Sequence, residues 1–373
     1  MARFSVLIKH RLRRATFSLA AVALVLTALE LLATLINLPA RPRWQFAPMS
    51  SDAYSVDDPQ LFWRMRPHVS LEEDGVLIET NALGIRDDEI EVPKPPGTWR
   101  AICLGESTTF GAGVPQDATY AQIAEKHLNA SAAEGERYDI VNAGLSASSS
   151  FQAWQWTRRY GEELEPDAIV LYYQTNDVMS SFGRSIYNFR TGFDLTDRRL
   201  YHIRNRYAGL LYLLNHSMLY KTLKHLLVGR LAADWELRRT KFVTKGGVHP
   251  RRWPPRMKPA DREYVLDRFL DWTKAHGAKL LIMNPAYATS EGDETLPMRW
   301  ARLNNVPVLD VVKLYRCRDA DWVSLFDPNV GNHPTAQAHR LMGEALSETL
   351  QAMRSGRRVP ASPCSTPAAV DDR

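Results

Sequence analysis

The chain has 373 residues, of which 45% are apolar and 24% charged, enough to bury a sizeable core and too apolar for an overall disordered polymer. The net charge of +5 comes from basic residues scattered along the chain without a nucleic-acid motif, which argues against nucleic acid as a partner. Cys103, Cys317 and Cys364 have no metal-ligand spacing, cannot build a disulfide framework and leave the redox compartment open.

Residues 1–14 are a basic N-terminus carrying Arg3, Lys9, Arg11, Arg13 and Arg14, and residues 15–38 are an apolar run broken only by Glu30. About 24 residues at a rise of about 1.5 Å span a hydrocarbon core of about 30 Å. Only Arg41 and Arg43 follow, so the positive-inside rule keeps the N-terminus in the cytoplasm and everything after Leu38 outside. The expected location is the inner or plasma membrane, single-pass, with the main domain periplasmic if the cell is Gram-negative. The run exceeds a signal-peptide core and no A-x-A site closes it, which favours an uncleaved anchor. Glu30 reads as a carboxyl held protonated or snorkelling from the outer third of the helix.

Residues 39–99 read as a linker and pre-strand segment: irregular with aromatic patches to about Glu79, then Pro-rich from Val92 to Trp99. A domain over residues 100–354 follows. Short apolar runs at Arg100–Leu104, Tyr138–Ala143, Ala168–Tyr173, Lys279–Met283 and Val306–Val311 alternate with helical patterns at Thr119–Leu128, Ser150–Leu164, Pro259–Gly277 and Thr335–Arg354. That alternation predicts an α/β fold with a parallel sheet covered on both faces. Trp322–Phe326 is also strand-like, and residues 355–373 form a polar tail expected to be disordered.

Val178 to about Lys258 exceeds an ordinary crossover and predicts an insertion. Within it, Tyr207–Leu227 sets Leu210, Leu211, Leu214, Met218 and Leu226 on an apolar side, as for a helix docked on the core, with membrane-surface contact as the alternative. Thr244–Pro259 is basic and rich in Gly and Pro, which suits a mobile lid or a surface for acidic ligands.

Ligands of open parallel sheets bind beyond the carboxyl ends of the strands. There the sequence places Gly105-Glu106-Ser107, Gly144, Asn176-Asp177 and, before the last helix, His333-Pro334. A serine hydroxyl becomes a useful nucleophile when a histidine takes its proton, and the oxyanion formed needs preorganised donors. Asp177 reads as a brace for its own loop and His339 as packing in the last helix.

The stretches LGESTTFGAGV, VNAGLSASS, YYQTND and NHPTAQAH resemble, in order, the four blocks of the SGNH or GDSL-like hydrolases, and TNALGIRDDE at Thr80–Glu89 looks like the segment before the first strand of membrane-anchored members. The resemblance covers roughly residues 81–352 and implies a three-layer, flavodoxin-like sheet without metal or nucleotide cofactor. It also implies Ser107 as nucleophile, His333 as base, and an oxyanion hole from the N–H groups of Ser107 and Gly144 and the side chain of Asn176. The chain departs from the family pattern at Glu106, where Asp is usual, and at Gln174, where Gly is frequent. A third departure is Val330, in place of the usual Asp three residues before the histidine. The nearest acid is Asp327, expected to fold back on the His333 ring and complete a triad; a backbone carbonyl or Asn332 in its place would leave a dyad. The function implied is a membrane-anchored, extracytoplasmic serine esterase acting on an O-acylated carbohydrate of the cell envelope or another ester. The rivals are an O-acyltransferase using the same Ser and His, and an envelope binding or assembly protein with a degraded site.

Overall fold

The computed structural model describes residues 2–36, 55–58, 60–73, 75–178, 196–207, 209–210, 214, 216–223, 226, 255–286, 294–319 and 321–359. Most of the predicted insertion, residues 244–254 of the basic Thr244–Pro259 loop and residues 360–373 of the predicted tail lie outside these residues. The chain divides into two compact units. One comprises Met1–Ala47, Phe189–Phe193 and His202–Arg251; the other comprises Pro48–Asn188, Asp194–Tyr201 and Arg252–Arg373.

In the first unit, α1 (Ala2–Ile36) is a continuous helix. Its portion Arg13–Ile36 contains an 18-residue window with a mean hydropathy of 2.4 and is long and apolar enough to cross a membrane. Phe17, Leu19, Leu24 and Leu35 are exposed along it, whereas Ala33 is buried.

The second unit is built on five parallel strands: β5 (Thr98–Gly105), β6 (Arg137–Asn142), β7 (Ala168–Tyr172), β8 (Lys279–Asn284) and β9 (Val308–Asp310), in the order β6-β5-β7-β8-β9. Side chains alternate across each strand. Ala101 and Cys103 of β5 enter a core with Tyr120 and Leu128 of α3 (Tyr120–Ala130) and Met342 and Leu346 of α9 (Ala336–Arg354). Ile102 and Leu104 enter the opposite core, with Phe151 and Trp156 of α4 (Ser150–Leu164) and Val265 and Phe269 of α6 (Pro259–Ala275). Both faces of the sheet are thus buried, which explains why the strands read as continuous apolar runs. The strand order is that of the flavodoxin-like doubly wound sheet, whose direction of winding reverses between β5 and β7.

Three expectations are corrected. The segment before residue 80 is not an irregular linker: β1 (Ser55–Asp58) pairs with β2 (Phe62–Met65), and β3 (Ser70–Glu73) pairs with β4 (Val76–Glu79). Leu61, Phe62, Trp63 and Ile85 join the core under α4 and α6, so the domain's packing begins well before Arg100. The run Val306–Val311 is strand only at Val308–Asp310, because the Asp310 carboxylate accepts the Lys313 N–H and starts α8 (Val311–Arg318). Trp322–Leu325 is a 3-10 turn, and only Phe326–Asp327, β10, is strand, paired with β11 (His333–Pro334).

Candidate active site

Ser107 opens the short helix α2 (Ser107–Phe110) directly beyond β5, and Asn176 lies in α5 (Thr175–Val178) beyond β7. The two therefore flank the reversal point of the sheet, where such folds bind ligands. The loop ahead of α9 delivers His333, whose Nε2 lies 2.6 Å from Ser107 Oγ. Both residues are half-buried.

The second ring nitrogen fixes the proton inventory. His333 Nδ1 lies 2.5 Å from the carbonyl oxygen of Val330. A carbonyl only accepts, so Nδ1 carries the hydrogen and Nε2 presents its lone pair to the serine O–H.

The Nδ1 position expected for Asp327 is taken by the Val330 carbonyl. Asp327 stands opposite His333 in the β10–β11 pair, yet its Oδ1 accepts the Asn329 N–H at 2.8 Å and caps the 3-10 turn Pro328–Val330. Gly331 (φ 65°) and Asn332 (φ 59°) then turn the chain through the left-handed region, residue types that tolerate it. This tight reversal aims the Val330 carbonyl at the ring. The Val330 side chain packs instead against Gly113, where an added Cβ would come within 2.7 Å of Val330 Cγ1.

Glu106 is 1% exposed, and its two oxygens accept the N–H groups of Gln174 at 2.8 Å and Asn176 at 3.1 Å. The carboxylate thus ties the turn before Ser107 to the segment bearing Asn176. Burial pushes its pKa up to about 7, reinforced by the Asp177 charge and opposed by those N–H donors and by Arg256. Folded protein then holds a proton, between about pH 4.3 and the folded value, that the unfolded chain lacks. Glu106's contribution to stability is therefore full below that window and lost as pH rises through it. Glu106→Gln should reduce the loss of urea midpoint between about pH 5 and about pH 8; an undiminished loss would assign the slope to other groups.

Gly144 is required sterically, since a Cβ there would lie 2.2 Å from the Phe110 nitrogen in α2. Its N–H, expected as an oxyanion donor, is directed to Asn142 Oδ1 at 3.1 Å. Asp177 is buried, accepts the Ser150 N–H at 2.8 Å and lies 3.7 Å from Arg262, so it braces the loop. His339 is buried in α9, where its Nδ1 accepts the Tyr120 N–H at 3.1 Å. Burial drives its pKa down to about 3.

A family model described as GDSL-like lipase/acylhydrolase matches residues 103–341, a span that contains Ser107, Gly144, Asn176 and His333. The chain belongs to this family. Among solved structures, the psychrotrophic esterase EstA from a Pseudoalteromonas species is 12% identical, with 69% of this chain and 98% of that one covered and a TM-score of 0.39. The lipase/acylhydrolase from Enterococcus faecalis is 12% identical, with 71% and 100% covered and a TM-score of 0.39. A two-domain esterase active on acetylated mannans is 14% identical, with 71% and 52% covered and a TM-score of 0.39. No curated protein matches the chain.

Two residues of this GDSL-like site escaped sequence reasoning. Arg86 is fully buried, and its guanidinium donates to the carbonyls of Phe110 (3.2 Å), Gly111 (2.6 Å), Val114 (2.8 Å) and Leu77 (3.2 Å), holding the C-terminal end of the serine helix. Asp87 Oδ2 accepts the Asn142 N–H at 2.6 Å, just ahead of Gly144. The only sequence signal was their place in the Thr80–Glu89 segment, which carries no chemistry until the fold brings it beneath α2.

Proposed function

We propose that this chain is a membrane-anchored serine esterase working through a Ser107–His333 dyad on the extracytoplasmic side. The observation that carries the reading is the 2.6 Å contact between Ser107 Oγ and an imidazole whose other nitrogen is held by a carbonyl. Ser107 Oγ attacks the ester carbonyl while its proton passes to His333 Nε2. The Val330 carbonyl keeps its hydrogen bond to Nδ1–H throughout and stabilises the imidazolium. The Ser107 N–H and the Asn176 side-chain amide receive the oxyanion, and the Gly144 N–H joins them on leaving Asn142. His333 returns the proton to the departing alcohol oxygen, and water, activated by the same nitrogen, releases the acid and restores Ser107.

Asn176→Ala should then lower kcat by roughly 10²–10³, the range for one oxyanion donor. An unchanged kcat in a folded variant would remove Asn176 from the hole.

The asymmetry of basic residues about the apolar stretch of α1 supports an outside location for the domain. The ester met there is an O-acyl group on envelope carbohydrate. The test combines two readouts on intact cells with any outer barrier opened: a serine-directed fluorophosphonate should modify Ser107, and added protease should digest the domain after Leu38. Failure to label Ser107 overturns the esterase; protection equal to that of a cytoplasmic marker overturns the orientation and the substrate class.

A further inference from the structure

The first unit holds a contact that the esterase reading leaves unused. Glu30 lies in the apolar stretch of α1, yet its carboxylate accepts hydrogen bonds from Ser217 Oγ at 2.6 Å, from Leu219 N at 3.1 Å and from Met218 N. Ser217 Oγ in turn accepts the Tyr220 N–H at 3.0 Å and so caps a helical segment that begins at Met218. The first N–H groups of a helix carry partial positive charge and have no partner within it. Glu30 supplies that partner from another part of the chain. Ala33, one turn further along α1, is 5% exposed while its apolar neighbours Leu31, Leu32 and Leu35 are exposed, so the contact falls where a small side chain permits close approach.

The capped segment has a face of its own. Leu219, Leu223 and Leu226 recur at the spacing of one helix side, and Leu223 and Leu226 are 50% and 45% exposed. Lys221 is also exposed, on the opposite side. Glu30 stands six residues before the end of α1, about 9 Å along the axis, which places this contact near the outer boundary of a bilayer spanned by that helix.

We infer that the segment beginning at Met218 is a second membrane-contacting element, clasped to α1 by Glu30, with Leu219, Leu223 and Leu226 seated among the lipid acyl chains and Lys221 toward the headgroups. This rests on the reading of α1 as a membrane anchor. It also gives Glu30 a different role from the protonated or snorkelling carboxyl expected from sequence. A carboxylate receiving three donors keeps its charge satisfied without reaching water.

The test uses the full chain reconstituted in phosphatidylcholine vesicles that contain a nitroxide-bearing phosphatidylcholine. Cysteine is introduced singly at Leu24, Lys221, Leu223 and Leu226 and labelled with a thiol-reactive fluorophore, with the signal of the unsubstituted chain subtracted. Leu24, Leu223 and Leu226 should be quenched at least about twofold more than Lys221, as for an amphipathic helix lying in the interface. Quenching at Leu24 with none at Leu223 or Leu226 beyond the Lys221 level overturns the second element and leaves the anchor standing; such leucines would face protein instead. Absence of quenching at Leu24 as well overturns both. Glu30→Ala should bring Leu223 to the Lys221 level while leaving Leu24 quenched and ester turnover intact, and Glu30→Gln, which retains one acceptor oxygen, should fall between. Undiminished quenching at Leu223 in Glu30→Ala overturns the clasp.

Discussion

Ser107→Ala is expected to lower kcat for a short activated ester by roughly 10⁵–10⁶-fold with little change in KM, the pattern for removing a nucleophile from a serine-histidine site. The side chain contributes its oxygen to the bond that forms, so nothing else in the turn replaces it. Alanine at the first position of α2 keeps the helix, and Arg86 still holds its far end through Phe110, Gly111 and Val114. The fold should therefore survive, as circular dichroism and an unchanged urea midpoint would show. Turnover within about tenfold of wild type would mean that water attacks directly and that Ser107 only binds.

His333→Ala should be nearly as severe, whereas Asp327→Asn should leave kcat within about threefold of wild type. In a serine protease with a buried acid, the amide in place of the carboxylate lowers kcat by about 10⁴ because the imidazole takes the wrong tautomer. Here the tautomer is set by the Val330 carbonyl, 2.5 Å from Nδ1, and asparagine retains the oxygen that accepts the Asn329 N–H. Asp327→Ala removes that cap and should lower stability by about 1 kcal/mol, with a moderate loss of kcat as the turn loosens. A kcat for Asp327→Asn as low as that of His333→Ala would restore the triad and require the carboxylate to swing onto the ring during turnover.

Much of this was legible in the sequence, because strand and helix signals in a doubly wound sheet are strong. Ser150–Leu164 falls on its helix, and the apolar runs around Cys103, Val141 and Val170 fall on adjacent strands. The positions beyond those strand ends led to Ser107 and Asn176, and the loop before the last helix led to His333. What stayed hidden depends on short segments whose structure is set from a distance. Phe62-Trp63-Arg64-Met65 is too brief to show periodicity, and its two aromatic residues are buried by α4 and α6 of a domain that follows later in the chain. The Val330 carbonyl could not be found from residue types, because every residue except its side chain looks the same there: a main-chain oxygen has no letter in a sequence. Asp327 is the nearest acidic letter to the histidine, but its Oδ1 accepts the local Asn329 N–H.

The use of a main-chain oxygen to orient His333 has a genetic consequence. A carboxylate orienter can be lost by one codon change and silenced by one proton, but a carbonyl has no allele to lose and nothing to titrate. Any residue able to hold the backbone at position 330 keeps the oxygen in place. The vulnerable quantity is the spacing between the two paired residues Asp327 and His333. A single-residue deletion between them would move the Val330 carbonyl off the ring, so the length of one hairpin loop carries information that a carboxylate would otherwise encode.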